Sequence, residues 1–249
     1  MSRVLKIIDV LRLFDDSRRV VRASDVEQLL DVSHATAYRC IKVLLDSGLL
    51  EPAGGGSYVL GPTIVELDRQ IRIHDPLIDA SDDVMRGLSG KLGATMLLCR
   101  RHGLKVLCIH QTHGHAAPAI MGYERGRAMS LYLGATSKAV MAHVDDATLR
   151  QLIDEDSAGL KRAGLPTRLK PLAELMAAWR AAPLIETQAE VNPDAHGWSV
   201  PLFQGRHLLG SLTVVLSRSA PEVAAAAVPE QLLRARLRIE ARLDEAAAK

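Results

Sequence analysis

The sequence predicts a two-domain α+β protein, in which a small helical unit with a β-hairpin is followed by a larger domain of mixed strands and helices. Three observations predict it. Ser24 and Ser33 each stand where a short helix would begin, the run Gly54-Gly55-Gly56-Ser57 reads as a hairpin turn, and beyond residue 75 strand-like and helix-like runs alternate.

The elements follow in chain order. Val4, Ile7, Ile8, Leu11 and Phe14 recur at three- and four-residue steps, which puts them on one helical face. Ser24 can cap the next helix, with Glu27 at the capping-box position, and that helix runs to Leu30. Asp31 and Val32 make a turn. Ser33 caps a third helix, in which Ala37, Ile41, Leu44 and Leu45 face inward until Gly48 stops it. Residues 49–51 and 57–60 then read as two strands joined by 52–56. Three helices and a hairpin in this order outline a winged helix-turn-helix.

The outward face of the third helix carries Ala35, Arg39 and Lys42, flanked by Thr36 and Tyr38. Such a face suits the DNA major groove. Arginine reaches guanine edges or phosphates, threonine and tyrosine bond phosphates, and a small alanine permits close approach. The hairpin would lie beside the minor groove. Residues expected to meet DNA are Ser24, Ser33, His34, Ala35, Thr36, Tyr38, Arg39, Lys42, Gly55 and Ser57. Residues 1–60 hold eight Lys/Arg and eight Asp/Glu, so placement must stand in for net charge. With so few phosphate contacts per chain, DNA binding should need a dimer.

In the second domain a helix follows Asp75-Pro76 to about residue 92, and residues 95–100 and 105–110 form a hairpin turning at His102-Gly103. Helices are expected over 136–143, around 146–153 and over 170–182. Strands over 184–191, 197–203 and 208–216 complete a mainly antiparallel sheet, the last pair turning at Gly205-Arg206. A final helix spans about 222–247, in which Arg234, Arg238 and Arg242 read as a solvated, salt-bridged face.

With 249 residues, 48% of them hydrophobic, the chain can bury two modest cores. A net charge of +2 excludes little. Cys40, Cys99 and Cys108 are odd in number and lie in apolar contexts, which reads as buried, reduced thiols. No signal peptide is visible and no apolar run approaches membrane-spanning length, so a cytoplasmic protein without a membrane partner is expected.

Gly134, Ala135, Thr136 and Ser137 open a helix, which reads either as an ordinary capped helix start or as a small-molecule site, where free N–H groups and the positive end of the helix dipole favour a carboxylate. Thr187 and Trp198 join it as candidates, Trp198 as a ring able to stack on an aromatic ligand or equally to fill the core. A rival reading is a metal-dependent hydrolase, in which His110, His113 and His115 ligate zinc and Glu124 is the nearest carboxylate. A third is a pure interaction module, with Arg39 as a surface anchor. No nucleophile elbow or phosphate loop supports catalysis, so no catalytic residue, metal or cofactor is assigned.

The segment S-H-A-T-A-Y-R-C-I-K-V-L-L-D-S-G-L-L, the short wing, and Y-V-L-G-P-T-I-V-E-L after it resemble the IclR family of bacterial transcriptional regulators. Further landmarks are L-Y-L-G-A-T-S-K-A-V-M-A at 131–142 and S-V-P-L-F-Q-G-R-H-L-L-G-S-L-T-V-V-L-S at 199–217. The resemblance implies a DNA-binding domain over 1–61, a linker helix over 62–75 and a GAF-like effector-binding and oligomerisation domain over 76–249. It implies backbone donors to the ligand from Ala135 and Thr136, and a hydroxyl contact from Ser217. It also implies operator DNA, a small organic or aromatic acid, and a homodimer or homotetramer, with repression the commoner mode. The chain departs from the family around 185–198, so the identity of the ligand does not carry over.

Overall fold

A computed structural model describes residues 3–114 and 124–247 of the chain, which divides into two compact units, 1–74 and 75–249. The first unit contains α1 (Arg3–Leu11), β1 (Val21–Arg22), α2 (Ala23–Leu30), α3 (His34–Asp46), β2 (Leu50–Gly54), β3 (Ser57–Leu60) and α4 (Thr63–His74). Val10, Val21, Val26, Ala37, Cys40, Ile41, Leu44 and Leu50 form its core.

Local physics moves several boundaries. On α1 Ile7 and Leu11 pack on the core as expected and Val10 is fully buried with them, while Ile8 is 44% exposed. The helix ends at Leu11, so Phe14 packs on the core from the following turn. Val21 and Arg22 pair with Tyr58 and Ser57 of β3 as a third strand that periodicity cannot reveal in two residues. That strand starts α2 early. Its N-cap is Arg22, whose backbone N–H donates to the Asp25 carboxylate at 2.7 Å, and Ser24 lies inside the first turn rather than capping it.

Ser33 does occupy the N-cap of α3, but its hydroxyl meets the Thr36 hydroxyl at 3.0 Å, and its carbonyl takes the Thr36 and Ala37 N–H groups. β2 continues through Gly54, leaving Gly55-Gly56 as the turn. Their φ values of +58° and +73° belong to the mirror-image turn that matches strand twist and that glycine enters freely. On α4 no residue is buried.

The second unit is a six-stranded antiparallel sheet in the order β6-β5-β4-β9-β8-β7, covered on both faces. Its strands are β4 (Thr95–His102), β5 (Lys105–His113), β6 (Ala128–Ser130), β7 (Ile185–Gln188), β8 (Ala195–Gln204) and β9 (His207–Ser217). One face packs Met96, Leu98, Trp198, Val200, Leu212 and Val214 against α5 (Pro76–Leu92) and α9 (Glu222–Ala247). The other packs Leu97, Cys99, Val106, Cys108 and Val215 against α6 (Gly134–Met141), α7 (Asp146–Arg162) and α8 (Leu169–Ala181). Alternating side chains along each strand feed the two layers.

α5 begins as expected, with the Asp75 carboxylate accepting the Leu77 N–H at 2.9 Å. The edge strand β6 is too short for a sequence pattern. The β4–β5 turn falls at Gly103-Leu104, one residue later than expected. α7 is longer than expected because Asp156 restarts it: at φ −145° and ψ 49° the backbone breaks, and the Asp156 carboxylate accepts the Gly159 N–H at 2.9 Å and the Tyr132 hydroxyl at 2.5 Å. Those bonds hold the Asp156 carboxyl below its ordinary range. All three cysteines are buried and free; Cys99 and Cys108 face each other across β4 and β5, and burial pushes the Cys99 thiol well up. On α9, Arg234 pairs with Glu230 on the surface, while Arg242 donates to the Ala80 carbonyl at 3.0 Å.

Candidate functional site

In the first unit α3 presents Ala35, Tyr38, Arg39 and Lys42 to solvent, with Thr36 half-buried beside them. They share this face because Ala37, Cys40, Ile41 and Leu44 are drawn into the core on the other. Arg39 lies along its own helix, its Nε donating to the Ala35 carbonyl at 3.0 Å, and its head is exposed. His34 ties the start of α3 to α2: its Nδ1 is 2.5 Å from Glu27 Oε1, and its ring centroid is 4.6 Å from that of Tyr38.

Ser24, Ser33 and Gly55 are exposed. Ser57 is buried, and its hydroxyl donates to the Gly54 carbonyl at 2.5 Å, so it braces the hairpin instead of facing outward. Arg22 is a cation that sequence reasoning did not place here; β1 sets it in register with Ser57.

In the second unit a recess open to solvent lies where α6 begins beside β7, β8 and β9. Gly134 at φ +79° turns the chain into α6. The helix-opening N–H groups are engaged: Gly134 donates to Glu190 Oε2 at 3.0 Å and Ala135 to Thr187 Oγ1 at 3.0 Å. Lys138, one turn on and only 9% exposed, pairs with Glu190 Oε1 at 2.5 Å. Ala135, Val191, Ala195 and Val215 supply apolar wall, and Thr136, Asn192 and Thr213 polar wall. The helix start and the buried Lys138–Glu190 pair thus lie beside a largely apolar recess.

Of the seven residues expected to touch a ligand, Gly134, Ala135, Thr136 and Thr187 line this cavity together. Ser137 is fully buried and is not part of the wall. Trp198 lies on the other face of the sheet, 3% exposed, stacked on His196 with centroids 3.6 Å apart. Of its two sequence readings, the geometry places it in the core. Ser217 at the end of β9 bonds Asp194 at 2.9 Å and Ser219 at 2.7 Å, outside the cavity wall. Glu190, Lys138 and Thr213 were missed; the alternation Ser211-Thr213-Val215 inside an apolar strand was the signal for the last.

His110 and His113 are three residues apart on β5, an odd separation that sends them to opposite faces. His110 Nε2 is 2.9 Å from Asp82 Oδ1, and His113 Nδ1 is 3.1 Å from Thr95 Oγ1. His115 lies outside the described residues, among which no group of three His, Cys, Asp or Glu side chains is placed to hold a metal. Elsewhere, burial and then the charges of Arg180 and Arg236 keep the His143 imidazole below its ordinary pKa. Among the described residues no helix is long and apolar enough to cross a membrane.

Two family models match. The IclR helix-turn-helix domain covers residues 4–54, and the bacterial transcriptional regulator IclR C-terminal domain covers residues 72–238. Among solved structures, an IclR transcriptional regulator from Silicibacter sp. aligns with a TM-score of 0.81 at 23% identity, over 98% of this chain and 96% of that one. An IclR homolog from Microbacterium hydrocarbonoxydans, complexed with 4-hydroxybenzoate, gives 0.76 at 20% identity over 98% and 100%. The IclR of Thermotoga maritima gives 0.67 at 18% identity over 97% and 98%. No curated protein sequence matches the chain.

Proposed function

The chain belongs to the IclR family and is a DNA-binding transcriptional regulator with a C-terminal effector domain, and from that premise we propose that it is a repressor that binds its operator as a homodimer or homotetramer and responds to a small organic or aromatic carboxylate. Residues 1–61 contact DNA, 62–75 link, and 76–249 bind effector and oligomerise. Such a protein works in the cytoplasm, where the chromosome is.

The observation that carries this reading is the cavity at the start of α6, where Gly134, Ala135, Thr136 and Thr187 meet apolar walls. The 4-hydroxybenzoate complex of the Microbacterium relative supports an aromatic acid as its class of ligand. On the DNA side, the exposed Ala35, Tyr38, Arg39 and Lys42 reach the major groove, with Ser24, Ser33, His34, Thr36 and the Gly55 tip supporting the docking. The balanced charge of residues 1–60 makes two such units necessary for firm binding. Val65, Leu67 and Ile71 on α4, each more than half exposed, offer apolar surface for pairing. Effector binding biases one of two placements of the paired domains on operator half-sites.

A band-shift titration on DNA from the region upstream of the gene, repeated with 4-hydroxybenzoate and a panel of small acids, tests the reading. An acid that changes the operator affinity supports it. Operator binding indifferent to every acid would refute the effector assignment.

A further inference from the structure

The donors that a ligand carboxylate would use at α6 already hold a carboxylate of the protein itself. Glu190 places one oxygen on the Gly134 N–H at 3.0 Å and the other on the Lys138 ammonium at 2.5 Å. Lys138 is buried, its ammonium 5.6 Å from the centroid of the Trp179 ring, and among the described residues Glu190 is the only carboxylate paired with it. A buried ammonium needs a counter-charge. Any anion entering the cavity therefore meets an occupied seat.

The backbone is shaped to present that seat's occupant. Ala189, immediately before Glu190, sits at φ +57°, in the left-handed region a non-glycine residue rarely adopts. The turn it opens is closed at its stem, where the Ala189 N–H donates to the Ala195 carbonyl at 2.9 Å. With the stem fixed, the Glu190 side chain, 30% exposed, can swing out while the strands stay paired.

We propose that Glu190 is a built-in competitor of the effector: an anionic ligand binds by exchanging for the Glu190 carboxylate on Lys138 and the Gly134 N–H. This rests on the carboxylate-pocket reading given above. The exchange conserves charge, because one carboxylate replaces another on the same ammonium. It makes the effector an anion whose apolar body contacts Ala135, Val191 and Val215, and it makes Glu190 the residue that sets the threshold concentration. A neutral ligand gains nothing from Lys138 and leaves Glu190 in place.

The test is titration calorimetry of the full chain with acetate and with 4-hydroxybenzoate, at constant ionic strength. Glu190→Ala vacates the seat and should bind at least one of these acids tenfold or more tightly than wild type. Glu190→Gln, which keeps the side chain's size and guards against a folding defect in the alanine variant, should also gain. Lys138→Met added to either variant should remove the gain. Equal affinity in wild type and both Glu190 variants, with binding abolished by a pocket-filling Gly197→Val, would leave the carboxylate pocket standing and overturn the exchange. Weaker binding to the variants would make Glu190 a ligand contact and also overturn it. Failure of all the proteins to bind either acid would overturn the carboxylate reading of the pocket and the exchange with it.

Discussion

Thr136 on α6 and Thr213 on β9 bring their hydroxyls together at 2.9 Å, both side chains nearly fully buried. Thr213 donates onward to Ser199 at 2.8 Å, and Ser199 donates to the Leu212 carbonyl at 3.3 Å. Thr136 is therefore the donor of the first bond, and the protons of these three hydroxyls are all placed. Thr213→Val keeps the shape but leaves the buried Thr136 hydroxyl without its acceptor, while Ser199 keeps its bond to the Leu212 carbonyl. It should lower unfolding free energy by about 1–3 kcal/mol, measured as a shift in urea midpoint at unchanged slope.

The cavity can be narrowed without touching that chain. A methyl group at Gly197 would lie 3.6 Å from the Ala135 Cβ and 3.8 Å from Thr187 Oγ1, ordinary contact distances. Gly197→Ala should therefore fold normally, with a melting temperature no lower than wild type, while weakening effector affinity several-fold. Calorimetry paired with thermal melting checks both halves.

How much of this was legible in the sequence depends on how far apart the partners lie. The α3 pattern was readable because Ala37, Ile41 and Leu44 fall on one helical face, and the wing because Gly55 and Gly56 need positive φ. Periodicity cannot identify β1 and β6, which have two and three residues and exist only through pairing with β3 and β5. Trp198 was ambiguous because the face of a strand residue depends on register, and one residue of offset exchanges core for pocket. Glu190 was invisible as a site residue: its partners Gly134 and Lys138 lie 56 and 52 positions away, and only the closed sheet brings them together.

The charge environment of His143 fixes a pH response. Burial, then Arg180 and Arg236, lower its pKa from the ordinary 6.5, so the unfolded chain takes up a proton at this residue before the folded chain does. Its contribution to stability is full above pH 6.5 and falls as acid carries the pH from there toward the lowered folded value. Denaturant midpoints should drop across that window in wild type and drop less in His143→Gln. Parallel pH profiles for the two proteins would contradict the assignment.

The outward face of α3 carries the DNA reading, and Arg39 is its most exposed test. Arg39→Ala removes a side chain that, among the described residues, hydrogen-bonds only within its own helix, to the Ala35 carbonyl. Folding should be unaffected, and the loss should appear in DNA binding alone, at about 1–3 kcal/mol per chain for a base contact.

Fluorescence anisotropy of wild type and Arg39→Ala on a labelled upstream duplex, titrated at two salt concentrations, tests the central claim most directly. The structure predicts specific wild-type binding that weakens as salt rises, and a tenfold or greater loss in Arg39→Ala with an unchanged melting curve. Arg39→Ala binding with wild-type affinity, or binding indifferent to salt, would contradict α3 as the reading surface.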